Sequence, residues 1–423
     1  MPIGLDKGRR RPQFISRYEV PCEKSNFFVK TKLDCLFIAL TILAASFNSQ
    51  LSTAHAQETF WVWTPQTNGI PNNGNQAWRS VASSADGTKL VAAVYNGQIY
   101  TSTDSGMNWT ARDSNRYWRF VASSSDGTKL VAAVYGSGSG GFIYTSINSG
   151  ATWTARDSNR GWLSVASSSD GSKLVAAVNG GQLYTSTDSG TNWTARASTT
   201  NWYSVASSAD GTKLVAVVQN GQIYTSTDSG VTWTARDSNR TWYSVASSAD
   251  GTKLVAVEDL GPRGDGGQIY TSTNSGAAWT ARDTNRFWSG VASSSDGTKL
   301  VAVEIGGGIY TSTDSGVTWQ AYLSFQGWSS VASSADGSKL VAANDFGDSG
   351  NGGQIYTGVP LGDMLTITHS GNIVKVSWPN PGGVLQQNPS LSTTNWTTLG
   401  YTGTNNFITN MSPGNMFYRL TGQ

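Results

Sequence analysis

Cysteine and histidine are almost missing from this chain of 423 residues, which has two of each. Cys22, Cys35 and His55 all fall within the first 56 residues, so everything beyond carries one histidine, His369, and no thiol. That part of the chain therefore has no Cys/His zinc cluster, no CxxCH haem attachment and no disulfide. A Ser-His-Asp triad would have one histidine to draw on. Neither a metal nor a cofactor site is expected. Charge is also scarce: Asp, Glu, Lys and Arg make up 13%, about half the ~25% usual in soluble domains. Long apolar runs are scarce too. Leu36–Phe47 (LFIALTILAASF) is the one that stands out, and it is too short to span a bilayer comfortably.

That run sits in an instructive order. Lys and Arg are concentrated before it, and Ala54-His55-Ala56 follows it. A basic flank, an apolar run and a small-x-small site make a secretory signal, so residues 1–56 are expected to be removed on export. The basic stretch is overlong, and initiation at Val29 would give a compact leader. Eight of the 29 basic and four of the 27 acidic residues lie in 1–56. The cleaved chain then has a formal charge of −2 instead of +2. A slightly acidic chain is a poor nucleic-acid binder. The expected protein is secreted, periplasmic or surface-bound, and monomeric. It has no membrane span after cleavage and an extracellular glycan or protein as partner.

Glycine and tryptophan are plentiful, at 48 and 17 residues. The tryptophans mark a repeat, W-x-x-V-A-S-S-x-D-G-[TS]-K-L-V-A. It starts at Trp78, Trp118, Trp162, Trp202, Trp242, Trp288 and Trp328, with spacings of 40, 44, 40, 40, 46 and 40. A period near 40 suits a four-stranded propeller blade. In the second unit the spacing predicts strands over 118–124, 129–135 and 142–146, and a fourth from Trp153. They are β-rich and bounded by Asp-Gly and Ser-Gly turns. No helical period appears in the repeats. The seventh unit stops at Tyr356-Thr357-Gly358 without a following x-W-T strand, while Trp61-Val62-Trp63-Thr64 stands unattached before the first. The expected fold is all-β: a seven-bladed propeller over 57–360, its last blade three strands from one end and one from the other. A small β-sandwich-like module is expected over 361–423.

The turn before each fourth strand reads STDSGMNW (Ser102–Trp109), SINSGATW (146–153), STDSGTNW (186–193), STDSGVTW (226–233), STNSGAAW (272–279) and STDSGVTW (312–319). This resembles the Asp-box, or BNR, repeat of sialidase-like propellers. That group includes sialidases, xyloglucan-active hydrolases and exported seven-bladed photosystem II assembly factors. The resemblance implies a propeller. It carries over no catalytic residue, because the R-I-P motif of sialidases is missing. The box residues Asp104, Asn148, Asp188, Asp228, Asn274 and Asp314 are read as turn formers, since Asn cannot replace an ionised acid. The tail resembles fibronectin-III-like modules at the C-termini of exported bacterial proteins.

Three features are candidate sites. The linker D-[ST]-N-R-x-W repeats four times, offering Arg116, Arg160, Arg240 and Arg286. It is expected on the face that carries the fourth-to-first and second-to-third connections. An Arg ring would grip carboxylates bidentately, unless each Arg pairs with Asp113, Asp157 or their equivalents. Trp118, Trp162, Trp242 and Trp288 either pack between blades or offer stacking platforms to sugars. Symmetry fails in blades five to seven, where Val94 of blade one becomes Glu258, Glu304 and Asn344 and the following loops carry Asp259 and Asp345. Glu258 and Glu304 are candidates for a glycosidase acid pair, for loop anchors, or with Asp345 and Asp348 for oxygen ligands of Ca²⁺. Near-identical blades favour a binding surface over an enzyme. A non-catalytic glycan- or protein-binding propeller is therefore the leading expectation. A sialidase-like glycoside hydrolase and a photosystem II assembly-type factor are the alternatives.

Overall fold

A computed structural model supplies the architecture. It describes residues 61–360, apart from 136–140, 261–263, 265 and 347–351, and beyond 360 the strands of the tail. The expected signal, Val29 and both cysteines lie outside the described residues.

Each repeat folds as a four-stranded antiparallel blade. In the second, Trp118–Ser123 pairs with Leu130–Val134, that strand with Gly141–Ser146, and that in turn with Thr154–Arg160. The linkers expected as loops are extended. Thr110–Ser123 is one strand that serves as the outer strand of blade one and the inner strand of blade two, and Thr234–Ser247 and Gln320–Ser333 do the same. A single left-handed residue, such as Asp113 (φ 52°), re-aims the chain without ending the strand.

The Ser-x-Asp-Gly turn after each inner strand is self-contained. Asp86 accepts hydrogen bonds from the Ser84 hydroxyl (2.6 Å), the Thr88 N–H (3.0 Å) and the Thr88 hydroxyl (2.7 Å). These turns also join the blades. Ala85 N–H donates to Ser125 O, Ser125 to Ser169, Ser169 to Ala209, Ala209 to Ala249, Ala249 to Ser295, Ser295 to Ala335 and Ala335 back to Ala85, at 2.7–2.8 Å. The seven bonds make a closed circle, so the ring has seven blades.

The closing strand is the one expected. Trp61–Gln66 pairs antiparallel with Ile355–Pro360 along its whole length. Gln66 even takes over a side-chain role. In blades one to five an outer-strand arginine (Arg112, Arg156, Arg196, Arg236, Arg282) donates from Nε to a threonine hydroxyl of the third strand at 2.9–3.0 Å. In blade seven Gln66 donates to Thr357 at 2.7 Å.

The core lies between blades. Val91, Ala93 and Ile99 of blade one meet Trp118, Val121, Leu130 and Tyr144 of blade two, and the pattern repeats around the ring. Blade seven closes on blade one through Val341, Ala343 and Ile355 against Trp78. Each leading tryptophan is sealed in its interface at 0–1% exposure and meets a tyrosine edge-on, as Trp118 meets Tyr144 with centroids 5.1 Å apart. Serine hydroxyls stitch the inner strands: Ser80 accepts from Val121 N–H at 3.1 Å and Ser164 from Val205 N–H at 3.2 Å.

Beyond Pro360 the strands form two three-stranded antiparallel sheets. Thr366–Ser370, Ile373–Ser377 and Asn406–Asn410 make one; Val384–Asn388, flanked by Thr397–Thr398 and Phe417–Thr421, makes the other. His369 pairs in register with Val374. Among the described residues no helix is long and apolar enough to cross a membrane.

Two outcomes are expected. Trp202→Ala should cost about 3–5 kcal/mol, the range for emptying a buried aromatic site, read by denaturant unfolding. The second concerns acid. The Ser hydroxyl of each turn, with the following Thr or Ser, holds Asp86, Asp126, Asp210 and Asp296 down to about 2, and depresses Asp170 and Asp250 as well. At Asp336 burial opposes the shift, but the hydrogen bonds from Ser334 and Ser338 prevail and it too sits at about 2. A carboxyl depressed in the folded state stabilises fully above its unfolded pKa, about 3.9, and loses that contribution as pH falls through the folded value. The melting temperature should be level above about pH 5 and fall steeply between about pH 4 and 2. A level profile down to pH 2 would remove these turns as a source of stability.

Candidate functional site

The box motif forms turns. Ser105 (φ 60°) and Gly106 (φ 91°) are both left-handed, as in a type I′ hairpin. Asp104 accepts from Ser102 and from both the N–H and the side chain of Asn108 at 2.7–2.9 Å. Asn148 and Asn274 accept equally well, from Thr152 N–H and Ala278 N–H at 2.9 Å. Thr232 and its N–H hold Asp228 at about 2, and Asn192 does the same for Asp188. Asp314, bonded to Thr318, is also depressed although burial works against it. These carboxylates are occupied with their own turns.

The expected arginine ring is internally engaged. Arg116 pairs with Asp113 at 3.3 Å, Arg160 with Asp157 at 3.2 Å, Arg240 with Asp237 at 3.6 Å and Arg286 with Asp283 at 3.4 Å. Each guanidinium also lies on a tyrosine of the next blade, Tyr144, Tyr184, Tyr270 or Tyr310, with centroids 4.3–4.6 Å away. The sugar-platform reading of Trp118, Trp162, Trp242 and Trp288 is corrected outright: all four have 0% exposure, because the interblade core needs them.

Glu258 and Glu304 occupy equivalent nests one blade apart, paired in register with Trp242 and Trp288. Glu258 is 3% exposed. Burial pushes its carboxyl up against the pull of Arg240. Glu304 accepts from the Tyr310 hydroxyl at 2.8 Å and faces Arg286 at 3.8 Å. Burial first, then that bond, push Tyr310 up to about 12. Each glutamate thus answers to its own Arg and Tyr, and no hydrogen bond or ion pair joins the two among the described residues. Asn344, the third equivalent, bonds Gln326. Among the described residues no cluster of three or more His, Cys, Asp or Glu offers a metal site, and Asp348 of the Ca²⁺ reading lies outside them.

The site that sequence reasoning passed over is the residue after each leading tryptophan. In every blade the ladder slips there: Trp78 pairs with Val94 and Ser80 with Ala93, so Arg79 is bulged out of register. The same slip occurs in the other six blades. The bulged residues are Arg79, Arg119, Leu163, Tyr203, Tyr243, Ser289 and Ser329. They stand on the innermost strands, one per blade, at the same end of the ring. Tyr203 and Tyr243 stack with centroids 4.7 Å apart. The Tyr203 hydroxyl, raised by burial and then by Tyr243, also feels Arg119 and Asp259. Arg119 belongs to blade two and Tyr203 to blade four, so residues of blades that are not neighbours come within electrostatic reach at the end of the ring where the inner strands begin, the axial mouth. Asp345 lies at the same mouth, 7% exposed, in an ion pair with Arg79 at 2.5 Å, and burial raises its carboxyl against that arginine. The clue was present in the W-x-x-V unit, whose first x reads R, R, L, Y, Y, S, S while its surroundings repeat.

These features define a closed seven-bladed β-propeller whose blades differ at one end of the axis. Solved structures of similar fold include YCF48 from Cyanidioschyzon merolae, at 16% identity and a TM-score of 0.54 over 70% of this chain and 98% of that one. YCF48 bound to D1 peptide aligns at 14% identity and 0.52, over 71% and 96%. The GH74 xyloglucanase from Xanthomonas campestris aligns at 16% and 0.54, over 75% of this chain and 59% of that one. Identities this low establish a shared fold alone. No protein-family profile and no curated protein matches the sequence.

The burial of Glu258 has a testable sign. A carboxyl raised in the folded state weakens stability as pH rises from its unfolded pKa, about 4.3, toward the folded one. Glu258→Gln should therefore melt at or above the parent at pH 7, and the difference should vanish near pH 4. Calorimetry of both proteins at the two pH values checks this; a variant that melts lower at pH 7 alone contradicts it.

Proposed function

We propose that this is a secreted, non-catalytic binding propeller for a glycan or extracellular protein, engaged on the face that holds the axial mouth. One observation carries the reading: seven nearly identical blades diverge at the bulged inner-strand position, where Arg, Tyr, Leu and Ser succeed one another around the channel. Repeated surfaces suit scaffolding, and a unique cluster at their centre suits recognition. The other candidate groups are already engaged. Box aspartates serve turns, linker arginines serve Asp and Tyr, and the leading tryptophans serve the core. A propeller of the same fold, YCF48, has been solved with a D1 peptide bound, which supports peptide as well as glycan as a ligand class.

The glycoside-hydrolase reading draws on the fold shared with the xyloglucanase and on Glu258 and Glu304. Their separate nests favour it less than a paired site would. The photosystem II assembly-type reading draws on the fold shared with YCF48 alone.

Residues 57–423 screened on glycan, polysaccharide and extracellular-protein panels should give a ligand that Tyr203→Ala, or Arg119→Ala at unchanged melting temperature, weakens at least about tenfold, the scale of one charged or buried contact. Turnover of a glycoside that Glu258→Gln and Glu304→Gln abolish, with no panel binding, would overturn the proposal in favour of the hydrolase.

A further inference from the structure

Beside each leading tryptophan the ring builds an aromatic nest, and four of the seven hold the chain's own guanidinium. Arg116, Arg160, Arg240 and Arg286 lie on the tyrosine of the next blade at 4.3–4.6 Å and near its tryptophan at 5.8–6.0 Å. Beneath these caps Tyr144, Tyr184, Tyr270 and Tyr310 are 5–8% exposed. Blade four keeps the platform and loses the cap. Trp202 meets Tyr224 edge-on at 5.1 Å and 72°, against 5.1–5.3 Å and 71–77° in the capped blades. The linker before it keeps its register: Arg196 pairs with Leu183 and Thr200 with Gly181, as Arg156 pairs with Ile143 and Arg160 with Gly141. It also keeps the left-handed residue, Ala197 at φ 56° where the aspartates stand at 51–53°, although alanine adopts that conformation less readily than Asp. Thr200 therefore stands in the arginine's place and Ala197 in that of its carboxylate partner. Tyr224 is half-buried instead of buried, and among the described residues no cation lies on it. In both remaining blades a long side chain takes the arginine's place. Gln76 pairs with Gly353 in blade one, where Tyr100 is 3% exposed, and Gln326 bonds Asn344 in blade seven.

We propose that the blade-four nest receives an arginine side chain of a protein partner. The occupant is read from the same platform in four other blades, each of which holds a guanidinium on its tyrosine. A planar, weakly hydrated guanidinium stacks on an aromatic face at small desolvation cost, whereas a compact ammonium holds its water. Ala197, Thr200, Trp202, Val218 and Tyr224 form the nest and carry no charge, so they offer an ammonium nothing in exchange for that water. Exposed Ser198, Thr199 and Asn201 border it on the solvent side. The nest uses none of the bulged residues of the mouth, so the inference goes beyond the reading above and does not rest on it.

NMR titration of the full chain, read at the indole N–H signals, tests this with N-acetyl-arginine amide, its lysine and citrulline counterparts, and the peptide Gly-Gly-Arg-Gly-Gly. The arginine probe should shift the Trp202 signal saturably. The lysine probe and the uncharged citrulline probe should bind about two- to fivefold more weakly, the worth of one exposed cation–π contact. The peptide should bind at least as well as the capped amino acid. Thr200→Arg should fill the nest and abolish binding. Ala197→Asp should tighten it, because it returns the carboxylate that pairs with arginine at 3.2–3.6 Å in the other nests. Arg160→Thr should open a second nest, so that the Trp162 signal responds as well. Unchanged melting temperatures establish that the variants fold. No shift at Trp202, equal binding of the citrulline probe, or binding that Thr200→Arg leaves intact overturns the proposal. Binding of the capped amino acid with exclusion of the peptide overturns the protein-borne source. If a panel ligand binds through Tyr203 while no arginine probe binds, this inference fails and the binding function stands; arginine binding without any panel ligand keeps the inference and removes that function.

Discussion

The fold depends on a tryptophan placed between two sheets. A single twisted four-stranded sheet cannot shield both its faces, so a lone blade would leave apolar surface in water. Trp118 removes that surface from blade one and blade two together, and six equivalents repeat the act around the ring. An indole buries ~150–250 Å², which makes it the largest apolar contribution at each interface. The small inner-strand residues follow from it. Ala and Ser let seven strands converge on one axis, and the serine hydroxyls then reach the neighbouring inner strand. The circle of backbone bonds from Ala85 through Ala335 forms because the tryptophans have already set the angle between blades.

Parts of the structure that repeat were readable from the sequence, since a repeat reports its own constraints. The leading tryptophans, the Asp-Gly turns, the box hairpins and the strand borrowed from the N-terminus all belong to this group. The pairing of Arg116 with Asp113 was also within reach, because both sit three residues apart in one extended segment. Its second anchor, the Tyr144 ring, comes from another blade, and only three-dimensional placement reveals it. The axial mouth was missed for a related reason. A consensus discards the variable position, and here the variable position is where the blades carry their differences. The slip that frees Arg79 and its equivalents comes from the backbone ladder and leaves no residue signature.

Symmetry breaks in two layers. Beneath the mouth, the position that holds Val94, Val134, Val178 and Val218 holds Glu258, Glu304 and Asn344 in the later blades. The two glutamates add acid to nests that already contain an arginine and an aspartate, so blades five and six carry more negative charge than blades two and three. At the mouth itself Arg79 and Arg119 sit in blades one and two, and Asp259 and Asp345 in blades five and seven. Arg79 and Asp345 pair across neighbouring blades, while Arg119 and Asp259 belong to blades that do not adjoin, so the charges at this end break a symmetry that the strands and turns keep.

The seam in blade seven also bears on how the ring is made. Trp61–Gln66 leaves the ribosome before any other strand described here, yet its partner Ile355–Pro360 is among the last of the ring, with Gln66 and Thr357 separated by 291 positions. Throughout synthesis the first strand has no edge to join, and blade six has no outer neighbour to cover Ile309 and Val303 until Trp328 arrives. Contacts of such long separation slow folding, and the waiting species exposes unpaired strand edges. A chain of this design is best completed where it cannot meet its own copies.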